Sequence, residues 1–170
     1  YKRQIMGGLD LFGCLWLFFV YSFFGWIAET CFCVLKYRKF MNRGMLNSPL
    51  CIVYGIAAVI ITIGFPELFD EIPILFLGCA GVSTLLEWFT AKILEKLDHK
   101  KWWDYSSKRW NLDGYICLQY SIVWGILGVL SVKFVTPVLM KLYHMVPSFM
   151  MQIALWALLG VLIVDILGST

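Results

Sequence analysis

The groups in this chain best suited to chemistry are two glutamates, Glu29 and Glu87, each set inside a long apolar run. A carboxylate at membrane depth costs about 2.5–3.5 kcal/mol on insertion scales, so it rarely persists there without a partner or a task. At helical spacing Ser22, Gly25, Glu29, Cys33 and Lys36 share one stripe, and Ser83, Thr84, Glu87, Thr90 and Ala91 share a comparable one. Each glutamate precedes the basic end of its run by about seven residues, or roughly 10 Å at helical rise, which predicts two carboxylates at matching depth. In one reading they line a polar pocket that binds a cation, exchanges a proton or orients a small solute. In the other they are anchors, paired with Arg43 or a tryptophan N–H, that lock helices together.

The neighbouring polar residues extend this pattern. Arg43 and Asn47 stand just ahead of Pro49, with Tyr54 soon after. A guanidinium there suits a carboxylate or a phosphate, and equally suits an ordinary basic flank. Lys36, Arg38 and Lys39 read as that flank. A later loop carries Trp102, Trp103, Asp104 and Tyr105, then Trp110, Asn111, Leu112, Asp113 and Gly114. Indoles and phenols favour the headgroup layer, so an aromatic belt accounts for the rings. It does not require Asp104, Asn111 and Asp113. These suggest a loop that folds under the bundle, with Asn111 or Asp113 assisting the turn into the next helix. The expected pocket therefore comprises Glu29, Glu87, Arg43, Asn47, Ser22, Ser83 and Tyr54. Trp103, Asp104, Tyr105, Asn111 and Asp113 are expected at its mouth.

The elements that must position these groups follow from composition. The chain has 170 residues, of which 61% are hydrophobic and only 15% charged. Globular domains carry about 25% charged residues, so this chain is built for lipid. Five runs approach the roughly 20 residues a helical span needs: about 9–35, 49–65, 74–94, 115–135 and 147–167. They are continuous rather than alternating, which favours helices over a barrel. The expected fold is one all-α transmembrane domain, residues 1–170, a bundle of five helices with an aromatic cytoplasmic loop between the third and fourth.

Ten of the 14 Lys and Arg lie in the segments 36–43 and 92–109. By the positive-inside rule those segments are cytoplasmic, which places the N-terminus outside and the C-terminus inside a cell membrane. The chain opens on Tyr1 with Lys2 and Arg3 rather than methionine, as a processed or trimmed start would. Its first apolar run is too long for the h-region of a separable signal peptide.

An internal repeat is expected as well. Residues 44–55 read GMLNSPLCIVYG and residues 114–125 read GYICLQYSIVWG. Both are bounded by glycine and end in Ile-Val-aromatic-Gly, and a helix with one glutamate lies upstream of each. The first four helices then form two parallel two-helix repeats. Small-residue stripes, Cys51-Gly55-Ala58-Thr62 and Ser121-Gly125-Gly128, predict close helix approach.

Several activities lack their signatures. There is no phosphate-binding G-x-x-x-x-G-K-[ST] loop, no nucleophile elbow and no H-E-x-x-H. The six cysteines fall in apolar runs, where a thiol packs as a small hydrophobe. His99 and His144 sit on opposite sides, which argues against haem or zinc. No cofactor, metal or nucleic-acid partner is expected.

The motifs Gly25-Trp26 with Glu29, Asn42-Arg43-Gly44, Pro49 with Tyr54-Gly55, Glu87, Trp102-Trp103-Asp104-Tyr105-Ser106, Asn111-Leu112-Asp113-Gly114 and Ile116-Cys117-Leu118, with Ser121 and Trp124-Gly125, carry a resemblance. Over about residues 18–135 the chain resembles a family of small prokaryotic membrane proteins labelled ABC-transporter type IV (CmpB-like). That label implies transport, and it alone suggests a separate ATPase.

The leading expectation is a permease-type membrane protein with a cytoplasm-facing polar pocket built on Glu29 and Glu87. Its expected partners are membrane lipids and either a second copy or a partner subunit, because five spans are few for a complete transporter. The alternatives are a membrane enzyme acting on a lipid or lipid-linked headgroup and a non-catalytic scaffold or assembly subunit. An enzyme is the less favoured of these classes.

Overall fold

The computed structural model describes residues 9–38, 47–65 and 70–169. The protein is all-α: α1 (Leu11–Tyr37), α2 (Ile52–Gly64), α3 (Ile72–Asp98), α4 (Leu118–Leu130), α5 (Thr136–Met145) and α6 (Ser148–Ser169). Four stretches are long and apolar enough to cross a membrane: Leu11–Leu35, Ile72–Asp98, Leu118–Met145 and Ser148–Gly168. Only 11% of the most apolar window of Ile72–Asp98 is buried inside the protein, and 33% of that of Leu11–Leu35. The remaining Leu, Ile and Phe faces are not covered by the described residues and are suited to acyl chains. This is a membrane protein.

The second apolar run is shorter than a span. α2 has 13 residues, about 20 Å of helix against a hydrocarbon core of roughly 30 Å. Pro49 biases Ser48 toward extended backbone, and the helix begins only at Ile52.

The fourth helix does not end at Val135, where the apolar run is expected to stop. One helical stretch of 28 residues continues from Leu118 to Met145. It contains a π turn, Ser131–Val135, two residues before Pro137. Proline lacks an N–H and its ring crowds the carbonyl four residues earlier, so the widened turn relieves a helix that would otherwise kink. Lys133 and Lys141 thus belong to the helix, where long side chains can extend toward water.

The contacts divide the chain into two compact units. One comprises the described residues up to Val59 together with those from Thr136; the other runs from Ile60 to Val135. In the first, α1 is started by Asp10, whose carboxylate accepts the Gly13 N–H at 2.8 Å, an N-cap. Tyr143 of α5 donates to the same carboxylate at 3.1 Å. Trp16 Nε1 donates to the Leu139 carbonyl at 3.0 Å, and the Tyr21 and Thr136 hydroxyls pair at 2.8 Å in the buried interior. Three polar ties thus fasten α1 to α5. Against α6 the packing is apolar, with Phe19, Met151, Leu155 and Leu162 as its core.

In the second unit α3 packs on α4. A Cβ at Gly125 would overlap the Phe76 ring, and one at Gly128 would overlap Cys79. The expected small-residue stripe is therefore a line of close approach. Thr84 and Ser121 hydroxyls join across the same seam at 2.8 Å.

Candidate functional site

In the first unit the stripe of α1 faces protein: Ser22 and Cys33 are fully buried. The α2 segment lies against it, with the Cys51 N–H donating to the Ser22 carbonyl at 2.9 Å. Gly25 leaves just the space that the Tyr54 ring occupies, and Gly55 has no room for a Cβ beside Phe18 and Ser22. This close approach brings the Tyr54 hydroxyl to Glu29, where it donates to Oε1 at 2.8 Å.

In the second unit Glu87 is nearly buried, 9% exposed. Trp124 Nε1 donates to its Oε2 at 3.3 Å and the Tyr105 hydroxyl to its Oε1 at 3.0 Å. Tyr54 and Trp124 are the aromatics of the two Ile-Val-aromatic-Gly endings. Each unit therefore holds one glutamate on a long helix, met by the aromatic that precedes a close-packed glycine on the next helix. The correspondence extends further. Phe18 lies eleven residues before Glu29 and against Gly55; Phe76 lies eleven residues before Glu87 and against Gly125.

The aromatic loop is built to deliver Tyr105. It contains a two-stranded antiparallel ladder, β1 (Asn111–Leu112) with β2 (Ile116–Cys117). Its turn needs left-handed backbone at Asp113 (φ 54°) and Gly114 (φ 75°). Asp-Gly is the sequence signal for such a turn. Asn111 braces it rather than capping the next helix: Oδ1 accepts the Gly114 N–H at 3.1 Å and Nδ2 donates to the Lys108 carbonyl at 2.7 Å. The Gly114 carbonyl accepts the Tyr105 N–H at 2.8 Å, and Trp103 Nε1 donates to the Tyr115 carbonyl at 2.9 Å. Tyr105 then stacks on Tyr120, ring centroids 4.7 Å apart. Burial first, then the Glu87 charge and hydrogen bond, push the Tyr105 phenol well up. It stays a neutral donor across ordinary pH.

The remaining expected residues are placed unevenly. Asp104 is exposed and forms a local turn, its Oδ1 accepting the Ser106 N–H at 2.9 Å and the Ser106 hydroxyl. Those bonds, with help from the Lys101 charge and against slight desolvation, hold its carboxyl below the usual range. Asp113 is exposed, and it is its carbonyl that takes Lys101 Nζ at 3.1 Å. Ser83 is half-buried. The Ser22 hydroxyl is buried with no hydrogen-bond partner among the described residues. Arg43 and the Asn42-Arg43-Gly44 motif lie outside the described residues. Of the cysteines, Cys31 is exposed, whereas Cys33, Cys79 and Cys117 are buried as expected.

Asp165 is a further polar anchor that no sequence motif singles out. From α6 its carboxylate accepts the backbone N–H of Ser48 at 2.8 Å and of Asn47 at 3.3 Å. It thereby holds the chain that leads into α2. A groove of about 620 Å³ runs from these residues along Ala157, Gly160, Val161, Val164 and Gly168. The available signal was a lone acid inside the last apolar run.

Long lipid-suited helices define an integral membrane protein. The chain belongs to the family described as "Putative ABC-transporter type IV" (ABC_trans_CmpB), which matches residues 16–170. No curated protein and no solved structure matches the chain significantly.

Proposed function

We propose that this is a permease-type subunit in which Glu29 and Glu87 are the working groups of two like half-sites, binding a cation, a proton or a small solute. The observation that carries this is the recurrence of one constellation. Phe18, Glu29, Tyr54 and Gly55 correspond in order to Phe76, Glu87, Trp124 and Gly125, with like contacts inside each set. That recurrence supports an internal two-helix repeat, and duplicated halves with polar groups at membrane depth are a common transporter plan. In this reading the chain makes five membrane passages, α2 being a short one, and forms a single functional domain. Its basic segments face the cytoplasm, the loop carrying Tyr105 closes over Glu87, and a second copy or partner subunit completes the pathway.

Proteoliposomes loaded with a pH-sensitive dye test it. Wild type should carry protons or cations down an imposed gradient, and Glu29→Gln and Glu87→Gln should slow this at least tenfold while remaining folded. Folded variants with wild-type flux would overturn the proposal.

A second reading has its own support: Glu87 is met by an indole N–H, as expected of a helix lock. In that case the protein is a scaffold subunit. Glu87→Gln would then lower thermal stability without altering any flux.

A further inference from the structure

We propose that Lys92 and Lys101, set against the Tyr115 ring, form a headgroup site for an anionic phospholipid. Tyr115 is 7% exposed and comes from the hairpin turn, Lys92 from α3 and Lys101 from just beyond it. Lys92 Nζ stands 4.2 Å from the ring centroid and Lys101 Nζ 4.5 Å from it. The two ammonium groups are therefore at most about 9 Å apart, near enough for two flexible lysines to converge on one phosphate through charge-assisted hydrogen bonds of about 2.8 Å.

Neighbouring carboxylates keep their charge, but their hydrogen bonds go to neutral donors rather than to this pair. Glu95 accepts the Tyr115 hydroxyl at 2.5 Å, Asp98 accepts Trp102 Nε1 at 2.6 Å, and Asp104 is held by Ser106. Lys101 donates to the Asp113 carbonyl at 3.1 Å and lies near enough to Asp104 to influence it. Among the described residues neither lysine makes an ion pair. The two ammonium groups therefore keep N–H donors that a further anion could accept.

The source of the phosphate is set by what lies beside it. Leu85, Phe89 and Lys92 follow at helical spacing on one face of α3, and Leu85 is 59% and Phe89 54% exposed. An acyl chain can lie along that apolar track while its headgroup meets Lys92. Trp88, 5.7 Å from Lys92 Nζ, and Trp102 add indoles of the kind that favour the headgroup layer. Basic pockets at the ends of spanning helices bind acidic lipid headgroups in this way.

The full chain, purified in an uncharged detergent, is titrated with dioleoylphosphatidylglycerol, with dioleoylphosphatidylcholine and with inorganic phosphate. Retained lipid is read by native mass spectrometry and stabilisation by thermal shift. Wild type should retain the glycerol lipid roughly tenfold better than the choline lipid. Lys92→Gln/Lys101→Gln should abolish the preference, and Lys96→Gln/Lys100→Gln, with the same charge loss on neighbouring residues, should keep it. Equal loss in both pairs would mean diffuse attraction and overturn the site. Inorganic phosphate that displaces the lipid and gives the same thermal shift would overturn the lipid assignment. If the first pair fails to fold, Lys92→Arg/Lys101→Arg must retain the preference and each single glutamine variant must weaken it severalfold; failure of either overturns the proposal.

Discussion

The Tyr54 hydroxyl donates to Glu29 Oε1 at 2.8 Å because Gly25, one helical turn before the glutamate, leaves room for the tyrosine ring. The hydrogen bond and the packing can be separated by mutation. Tyr54→Phe keeps the ring and removes the donor, and should cost about 1–2 kcal/mol. Thermal unfolding in detergent measures it. In a cycle with Glu29→Gln the two changes should be strongly non-additive.

Gly25→Ala tests the packing alone. A methyl group at that position overlaps the Tyr54 ring, so the change should destabilise by roughly 1–3 kcal/mol despite alanine's better helix propensity. Gly128→Ala, against Cys79, should behave alike. Gly81→Ala, where a Cβ meets nothing within 4 Å, is the control.

At Glu87 two donors share one carboxylate. Tyr105→Phe and Trp124→Phe should each lower stability by about 1 kcal/mol or more. Tyr105→Phe should also loosen the loop, raising protease cleavage between Asp98 and Leu118. Unchanged cleavage would show that the hydrogen bond does not hold the loop down.

The loop should respond to pH in a defined direction. The Asp104 carboxyl is held low by Ser106, so its stabilisation is full above the ordinary aspartate range and fades as pH falls through the depressed value. The Tyr105 phenol is held high; its contribution is full below the ordinary phenol pKa of about 10 and is lost as pH rises through the elevated one. Tryptophan fluorescence of the loop should therefore be flat near neutrality and change at both extremes. Asp104→Asn should blunt the acid limb only.

Gly114→Ala places a side chain at φ 75° and against Asp104 and Ser106. The left-handed backbone alone costs about 1–2 kcal/mol for an ordinary residue. The variant should unfold the hairpin before the helices, seen as early tryptophan exposure on heating.

Which features could be read from the residues depended on their range. The apolar runs 9–35, 74–94 and 147–167 became helices nearly where they stood, because in lipid a continuous apolar stretch has few other structures open to it. Ser22, Gly25, Glu29 and Cys33 shared a stripe, and that stripe faces protein. The end of the fourth helix was hidden because Lys133, Thr136 and Pro137 look like a loop until a π turn accommodates them. The hairpin was hidden by its two-residue strands, although Asp113-Gly114 announced its turn. Asp165 stands as one acid within the last apolar run, with no motif around it. Its role depends on a chain more than a hundred positions away in the sequence, which no local pattern discloses.

The brevity of α2 has a consequence for the surrounding lipid. A helix of 13 residues leaves the leaflet around it to pucker inward or leaves solvent to follow the polypeptide down toward Cys51. The open groove beside Asn47, Ser48 and Asp165 offers that solvent a route. Amide deuteration at Asn47 and Ser48, whose N–H groups Asp165 holds, should accordingly run ahead in Asp165→Ala while the amides of α1 remain protonated for hours.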